Sequence, residues 1–174
     1  MPSGTLEFLT LTNGMYIVLL MIMLAFTVIS RSVLQDSIRI RMSEVSNQVA
    51  GYLIEAYSLC YQTKSDTVQI YRLIDIPAEI GVYGYVINVK LENDTWVVET
   101  HLETTEFTFA RSPLWKRSNT TYIETGNGTI FIGGHQIGYD SVLHSGSSKA
   151  INRPVVWAVK SGDTVRVGIG VLKS

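Results

Sequence analysis

The sequence predicts an α+β protein in which one long N-terminal helix is followed by an antiparallel, sandwich-like β head. Two observations predict this class. Residues 1–62 contain an uncharged apolar run and then apolar side chains at steps of three and four, which is the helical period. Residues 63–174 contain short alternating or β-branched segments separated by Gly, Pro, Asn and Asp, which is typical of strands and turns. We therefore divide the chain into a helical part, 1–62, and a β-rich head, 63–174.

The first part of the helix is apolar on all sides. The 22 residues from Phe8 to Ile29 carry no charge, and Glu7 is the only ionisable side chain before them. A helix of that length spans roughly 33 Å, close to the thickness of the hydrocarbon core of a bilayer. Residues 8–29 are therefore predicted to lie in a membrane or to be covered by other helices.

The second part of the helix, residues 30–61, is amphipathic. Its apolar stripe is Leu34, Ile38, Met42, Val45, Val49, Leu53, Ala56 and Cys60. Charged and amide side chains lie between these positions, so we expect the stripe to pack on the head. No proline occurs from Ser3 to Ile76, and the pattern predicts one helix from about Thr5 to Tyr61. Cys60 is the only cysteine, which permits no internal disulfide, and its position in the stripe predicts a buried, small apolar side chain.

Seven to nine short strands are predicted after the helix, which favours an antiparallel sandwich or an open, curled sheet. The candidates are Val68–Ile74, Tyr85–Leu91, Trp96–Val98, a segment through Phe107 and Phe109 that Pro113 ends, Tyr122–Glu124, Thr129–Ile132, Gln136–Leu143, Pro154–Lys160 and Thr164–Leu172. Turns at Glu92–Asp94 and at Ser161–Asp163 predict two hairpins. The glycine pairs Gly133 with Gly134 and Gly168 with Gly170 are expected at turns or bulges.

Charge and motif spacing exclude several classes of function. Residues 63–174 carry eleven basic and eleven acidic side chains, so nucleic acid is not an expected partner. His101, His135 and His144 lack the spacing of a metal site and are interpreted as solvent or turn residues. No nucleophile motif is present, and the sequence predicts neither an enzyme nor a cofactor. Glu99, Glu103 and Glu106 are interpreted as part of a solvated strand face.

Three N-glycosylation sequons lie in the β part. They begin at Asn93, Asn119 and Asn127, each in a turn-like context. One interpretation is N-glycosylation of an exported domain, and the other is ordinary turn composition. Glycans would place residues 63–174 outside the cell.

The order of segments resembles the type IV pilin superfamily. Glu7 stands directly before an apolar helix that continues into an amphipathic helix and then a β-rich head, and Ser3–Phe8 is similar to the processing region of archaeal class III signal peptides. The stretch Ile76–Gly81, followed by Tyr85–Leu91, is similar to the start of the head in archaeal pilin-like membrane proteins. The resemblance covers the helix and the first strands, about half of the chain.

The resemblance implies a structural subunit of an extracellular archaeal filament that polymerises through its N-terminal helix, with a role in adhesion or surface attachment. Its partners would be other copies of the chain, the membrane before assembly and the pilus assembly machinery. Ser3 would be the first residue after processing, and Glu7 would pair with the N-terminal amine of a neighbouring subunit. The assembly and membrane surface implied by the resemblance comprises Glu7, Phe8, Gly14, Leu20, Leu24 and Ile29.

An alternative is a single-span, membrane-anchored accessory protein, a minor pilin or a stator-like protein, whose β head binds the cell envelope or another protein. Arg31, Arg39 and Arg41 follow the apolar run, and the positive-inside rule favours the cytoplasmic side for such residues. The sequons, the β head and the resemblance favour an extracellular head instead.

Overall fold

The structure is a computed structural model that describes the backbone of residues 3–145 and 153–173, and the side chains of the same residues other than 3, 5–7 and 105–107. The described residues form one helix, α1 (Ser3–Gln62), and ten strands. The chain divides into two compact units, Met1–Ile38 and Arg39–Ser174. The second unit therefore contains the last part of α1 together with all of the strands.

The long helix predicted from the sequence is confirmed. α1 runs from Ser3 to Gln62 and continues through Gly14 and Gly51. Just beyond its end, the hydroxyl of Thr63 donates a 2.7 Å hydrogen bond to the carbonyl oxygen of Leu59. This bond satisfies one of the carbonyl groups that the end of a helix leaves without a backbone partner.

The strands form two sheets. Their bounds are β1 (Thr67–Leu73), β2 (Tyr85–Glu92), β3 (Thr95–Leu102), β4 (Thr105–Lys116), β5 (Thr121–Ile123), β6 (Gly128–Ile132), β7 (His135–Tyr139), β8 (Val142–His144), β9 (Arg153–Ser161) and β10 (Thr164–Lys173). The large sheet has the order β1-β9-β10-β7-β6, and β5 pairs with β10 in parallel. The small sheet has the order β4-β3-β2-β8. All other pairs of described strands are antiparallel, which confirms the predicted fold class.

Both predicted hairpins are confirmed. Between β2 and β3 the two loop residues Asn93 and Asp94 have φ values of 48° and 62°. Two successive residues with positive φ are characteristic of a type I′ turn, whose twist matches that of the flanking strands. Between β9 and β10, Gly162 has a φ of 60° and Ser161 pairs with Thr164.

The amphipathic part of α1 packs on both sheets. Its buried side chains in the second unit are Met42, Val45, Ser46, Val49, Ala50, Leu53, Ala56 and Cys60. Ser46 bonds to β3, while the guanidinium of Arg72 on β1 lies 4.7 Å above the ring of Tyr52 and pairs with Glu55. The predicted stripe is therefore confirmed from Met42 to Cys60. Leu34 was wrongly included, because its side chain is exposed.

A second apolar cluster lies on one face of the large sheet. It consists of Ile132, Ile137, Val155 and Trp157, all buried, with Tyr139 packed against it. Gly168 lies opposite Trp157 in the strand register, and a Cβ at Gly168 would lie only 2.6 Å from the ring of Trp157. The prediction of a turn or bulge at the second glycine pair is wrong, since the pairing of β9 with β10 continues through both residues. Glycine occupies both positions because neighbouring groups approach the backbone closely there.

Two strand predictions are also corrected. Pro113 does not end its strand, because β4 is an edge strand and a missing N–H is tolerated there. It pairs with Val97, beside an irregularity in the register. The predicted strand Gln136–Leu143 is two strands in different sheets. The carboxylate of Asp140 accepts a 3.1 Å hydrogen bond from the backbone N–H of Val142, a local turn that ends β7 and lets the chain cross to the small sheet.

Candidate functional site

The N-terminal unit presents a continuous apolar surface. Phe8, Leu20, Leu24 and Ile29 are each more than three-fifths exposed, at 71%, 65%, 69% and 61%. The most apolar window of α1 has a mean hydropathy of 2.4 and no buried residue. By length and composition α1 is therefore able to cross a membrane, which confirms the coarse prediction of a membrane-competent segment.

Two of the hydroxyl groups within this surface bond to the helix itself. The hydroxyl of Thr12 donates a 2.7 Å hydrogen bond to the carbonyl oxygen of Phe8, and that of Thr27 donates a 2.8 Å bond to Met23. Such bonds allow a hydroxyl to lie in an apolar environment without losing a partner. These two hydroxyl groups are therefore compatible with lipid or with other apolar helices.

Gly14 forms a shallow apolar groove in this surface. The groove is lined by Leu11, Gly14, Met15, Val18, Leu19 and Ile22. A missing side chain in an apolar helix lets another helix approach closely. Of the other predicted assembly residues, Ser3 and Glu7 have helical backbone, but their side chains lie outside the described part of the chain.

The head contains an ionic network centred on Glu99, on the face of the small sheet opposite α1. Glu99 of β3 accepts hydrogen bonds from Lys90 of β2 at 2.8 Å and from Arg111 of β4 at 2.5 Å, and Arg111 also pairs with Glu92 at 3.1 Å. The Glu99 side chain is only 12% exposed, so the predicted solvated strand face is wrong at this residue. Burial alone would raise the pKa of Glu99, but the hydrogen bonds and charges of Lys90 and Arg111 hold it below its usual value.

The three histidines occupy different environments. The imidazole of His144 lies 3.1 Å from the carboxylate of Glu103, and the ring of His135 packs edge-on to Tyr71 at 5.5 Å. His101 lines a small cavity of about 270 Å³ with Glu99 and Arg111. Among the described residues, no group of three His, Cys, Asp or Glu side chains is arranged to hold a metal ion.

Cys60 is buried and unpaired, as the stripe predicted. Burial raises the pKa of its thiol, which the charge of Lys160 lowers to a smaller extent. A thiol that stays protonated at neutral pH is a poor nucleophile, so its role is packing.

A cleft of about 560 Å³ lies beside the free end of β2. β8 pairs with β2 only at Val86–Asn88, so no strand in the described part of the chain pairs with the rest of that edge of β2. The cleft is lined by Lys90, Leu91, Trp96, Arg117, Tyr122 and Ser141, and no described side chain that lines it is acidic. Its volume lies in the range of small-ligand sites.

The sequons have exposed asparagines. Asn93 lies in the type I′ turn, Asn119 in the loop between β4 and β5, and Asn127 in the loop between β5 and β6. In its better-bonded orientation the amide of Asn127 donates to both carboxylate oxygens of Asp140, at 2.9 and 3.1 Å. Residues with exposed side chains in turns are accessible to modification.

Comparisons of the chain with protein-family models, curated proteins and solved structures found no match. What the protein does is therefore inferred from its own residues.

The cleft and the ionic network could not be identified from the sequence. Both combine residues that are far apart along the chain, such as Lys90 with Arg117 and Glu92 with Arg111. The alternation in β2 predicts Ile87 and Val89 on one face and Asn88 and Lys90 on the other, and the first pair is buried while the second is half-buried. Leu91 has the same parity as Ile87 and Val89 but is exposed. Which charges meet on the face of Asn88 and Lys90 depends on the register of β2, β3 and β4.

Proposed function

We propose that this chain is a pilin-like subunit of an extracellular filament that assembles through the apolar part of α1. The observation that carries the proposal is that a single helix combines an uncovered apolar segment with a segment that forms part of the core of the head. A simple membrane anchor has no need for the second segment, because a flexible linker would attach the head equally well.

The energetics support a covered helix. Full burial of one large apolar side chain is worth about 1.5–3 kcal/mol, so the exposed side chains between Phe8 and Ile29 together represent on the order of tens of kcal/mol. This surface must be in lipid or against other helices. Copies of the same chain provide such a cover outside a membrane, and a repeated heterologous contact between copies does not close but extends into a fibre.

The residues implied by the resemblance have roles in this scheme. Glu7 would meet the N-terminal amine of a neighbouring subunit, which offsets the cost of a carboxylate at the edge of an apolar helix. Phe8, Leu20, Leu24 and Ile29 would contact neighbouring helices, and Gly14 would permit close approach. Before assembly the same segment would hold the subunit in the membrane, where the assembly machinery would collect it.

Electron microscopy of material sheared from the surface of the source cells, combined with mass spectrometry of the N-terminal peptide, tests the proposal. Filaments that contain this chain are expected, with a mature N-terminus at Ser3. A chain that stays in the membrane fraction with its N-terminal peptide intact would contradict the proposal.

The cleft in the head supports the second candidate, a membrane-anchored protein whose head binds a ligand or a partner on the cell envelope. A cleft of about 560 Å³ has the volume of a small-ligand site. The same fractionation separates the two candidates, since the anchored protein would remain in the membrane under shear.

A further inference from the structure

Each of the three sequons lies within two residues of a residue that lines the cleft in the head. Asn119 lies between Ser118 and Thr121, both of which line the cleft. Asn93 lies two residues after Leu91, and Asn127 lies two residues after Thr125, and these neighbours also line it. The sequence gives no hint of this grouping, since the three positions are spread over 35 residues, from Asn93 to Asn127. Glycans at these positions would begin close in sequence to residues of one cleft.

The chemistry of the cleft suits a carbohydrate. Trp96 and Tyr122 provide aromatic surface, and the Tyr122 side chain is half-exposed. Sugar rings present apolar C–H faces to such surfaces and hydroxyl groups at their edges. The hydroxyls of Ser118 and Ser141 and the amide of Asn88 line the same space and are able to bond to those edges.

The edge of β2 adds backbone groups. The N–H of Val89 donates a 2.9 Å hydrogen bond to the carbonyl of Ser141, so the backbone groups of Leu91, two residues further on, lie on the same edge of the strand. β8 does not extend to Leu91. Leu91 therefore offers a donor and an acceptor to a ligand in the cleft.

Among the three sequons, Asn119 is the best placed to supply that ligand. Its sequon ends at Thr121, which is 3% exposed and begins β5 within the wall of the cleft. Asn119 itself is exposed, and Arg117 before it is tied to the β2–β3 turn by a 2.9 Å bond from its N–H to the carbonyl of Asp94. On the other side of Asn119, the carbonyl of Thr120 accepts a 2.9 Å hydrogen bond from the N–H of Val165, so backbone bonds hold the attachment point close to the cleft on both sides.

We propose that the cleft holds the first sugars of a glycan attached to Asn119 of the same chain. The inference rests on the export of the head that the proposed function requires. The glycan fills the cleft, stacks on Tyr122 and bonds to the free edge of β2, so that it acts as part of the folded head and not as a mobile surface group.

The test uses the full chain purified in detergent from cells that export it, with glycopeptides identified by mass spectrometry. Amide hydrogen exchange is then compared between the glycosylated protein and the Asn119→Gln variant. The amides of Leu91 and Ile123 are expected to exchange several-fold more slowly in the glycosylated protein, because the sugars cover the cleft.

Two further variants define the cause of any protection. Asn127→Gln removes a different sequon and is expected to leave the exchange at Leu91 unchanged. Tyr122→Ala keeps the glycan but removes the aromatic surface, and it is expected to lose the protection. This substitution is at an exposed position of β5, so the head is expected to keep its fold.

Equal exchange in the glycosylated protein and in Asn119→Gln would overturn the inference, as would the absence of a glycan at Asn119. These outcomes are distinct from a failure of the proposed function. A glycan at Asn119 without protection overturns only the role of the cleft, whereas a head that carries no glycan at any sequon and stays in the membrane fraction under shear contradicts the filament as well.

Discussion

The hydroxyl of Ser46 on α1 donates a 2.9 Å hydrogen bond to the backbone carbonyl oxygen of Val98 in β3. Both residues are fully buried, and they are separated by 52 positions in the sequence. A serine within a helix usually bonds back to a carbonyl of its own helix, as Thr12 does. Here the polar group instead fixes the helix on the central region of the small sheet, within an otherwise apolar contact.

Replacement of this serine tests the importance of the bond. Ser46→Ala is expected to lower the free energy of unfolding of the head by about 1 kcal/mol, the usual net value of such a bond. Chemical denaturation of the full chain in detergent, followed by tryptophan fluorescence, measures it. Ser58→Ala is a suitable control, because Ser58 is half-buried on the same helix. Equal losses in the two variants would contradict a specific role for the Ser46 bond.

The lowered pKa of Glu99 predicts how the stability of the head depends on pH. Although burial acts to raise the pKa of Glu99, Lys90 and Arg111 hold it below the ordinary value of 4.5. The folded state thus binds this proton less tightly than the unfolded state, and the contribution of Glu99 to stability is present above about pH 4.5 and is lost as the pH falls through the lower folded value.

The expected result is that Glu99→Gln is less stable than the wild type at neutral pH, and that the difference shrinks as the pH falls below about 4.5. Thermal unfolding at a series of pH values measures the effect. Glu79→Gln removes an exposed carboxylate and is the matched control. A difference between Glu99→Gln and wild type that is constant from neutral to acid pH would show that the carboxylate does not contribute through its ionisation.

The long helix, the two hairpins and most strands could be predicted because each is marked by a local pattern. The period of three and four residues from Met42 to Cys60 and the turn residues Asn93 and Asp94 are such patterns. The cleft depends instead on where β8 ends along β2, which is a property of sheet register. The apolar run from Phe8 to Ile29 could also be predicted, because it is apolar on all sides and has no polar face to present to water.

Replacement of Gly168 by alanine is predicted to destabilise the head. A Cβ at this position would lie 2.6 Å from Cζ2 of Trp157, whose ring is fully buried. Gly168→Ala is expected to destabilise the head by about 1–3 kcal/mol, since the indole must leave its position in the core. Thermal unfolding and the near-ultraviolet circular dichroism of Trp157 report the change. At Gly126 the nearest atom would be 3.8 Å from the added carbon, so Gly126→Ala is expected to change little.

Glu7 is predicted to matter for assembly and not for folding. Its carboxylate, directly before the apolar segment, costs about 1–3 kcal/mol in an apolar environment unless a cation is near. Glu7→Ala is expected to reduce the yield of sheared filaments while the melting temperature of the head stays the same. Thr12→Ala, which removes one hydroxyl from the same segment, is expected to assemble normally. Normal filament yield from Glu7→Ala would count against the proposed assembly.

Two truncations test which part of α1 belongs to the head. The chain from Arg39 to Ser174 forms one compact unit that includes the buried face of the helix, so this fragment is expected to be soluble, monomeric and cooperatively folded. Residues 63–174 alone lack that face and leave apolar surface of both sheets uncovered, so this fragment is expected to aggregate. Size-exclusion chromatography and thermal unfolding compare the two. A stable, monomeric 63–174 fragment would show that the β-sheets are self-sufficient, and the continuous helix would then no longer argue for a filament subunit over an anchored binding protein.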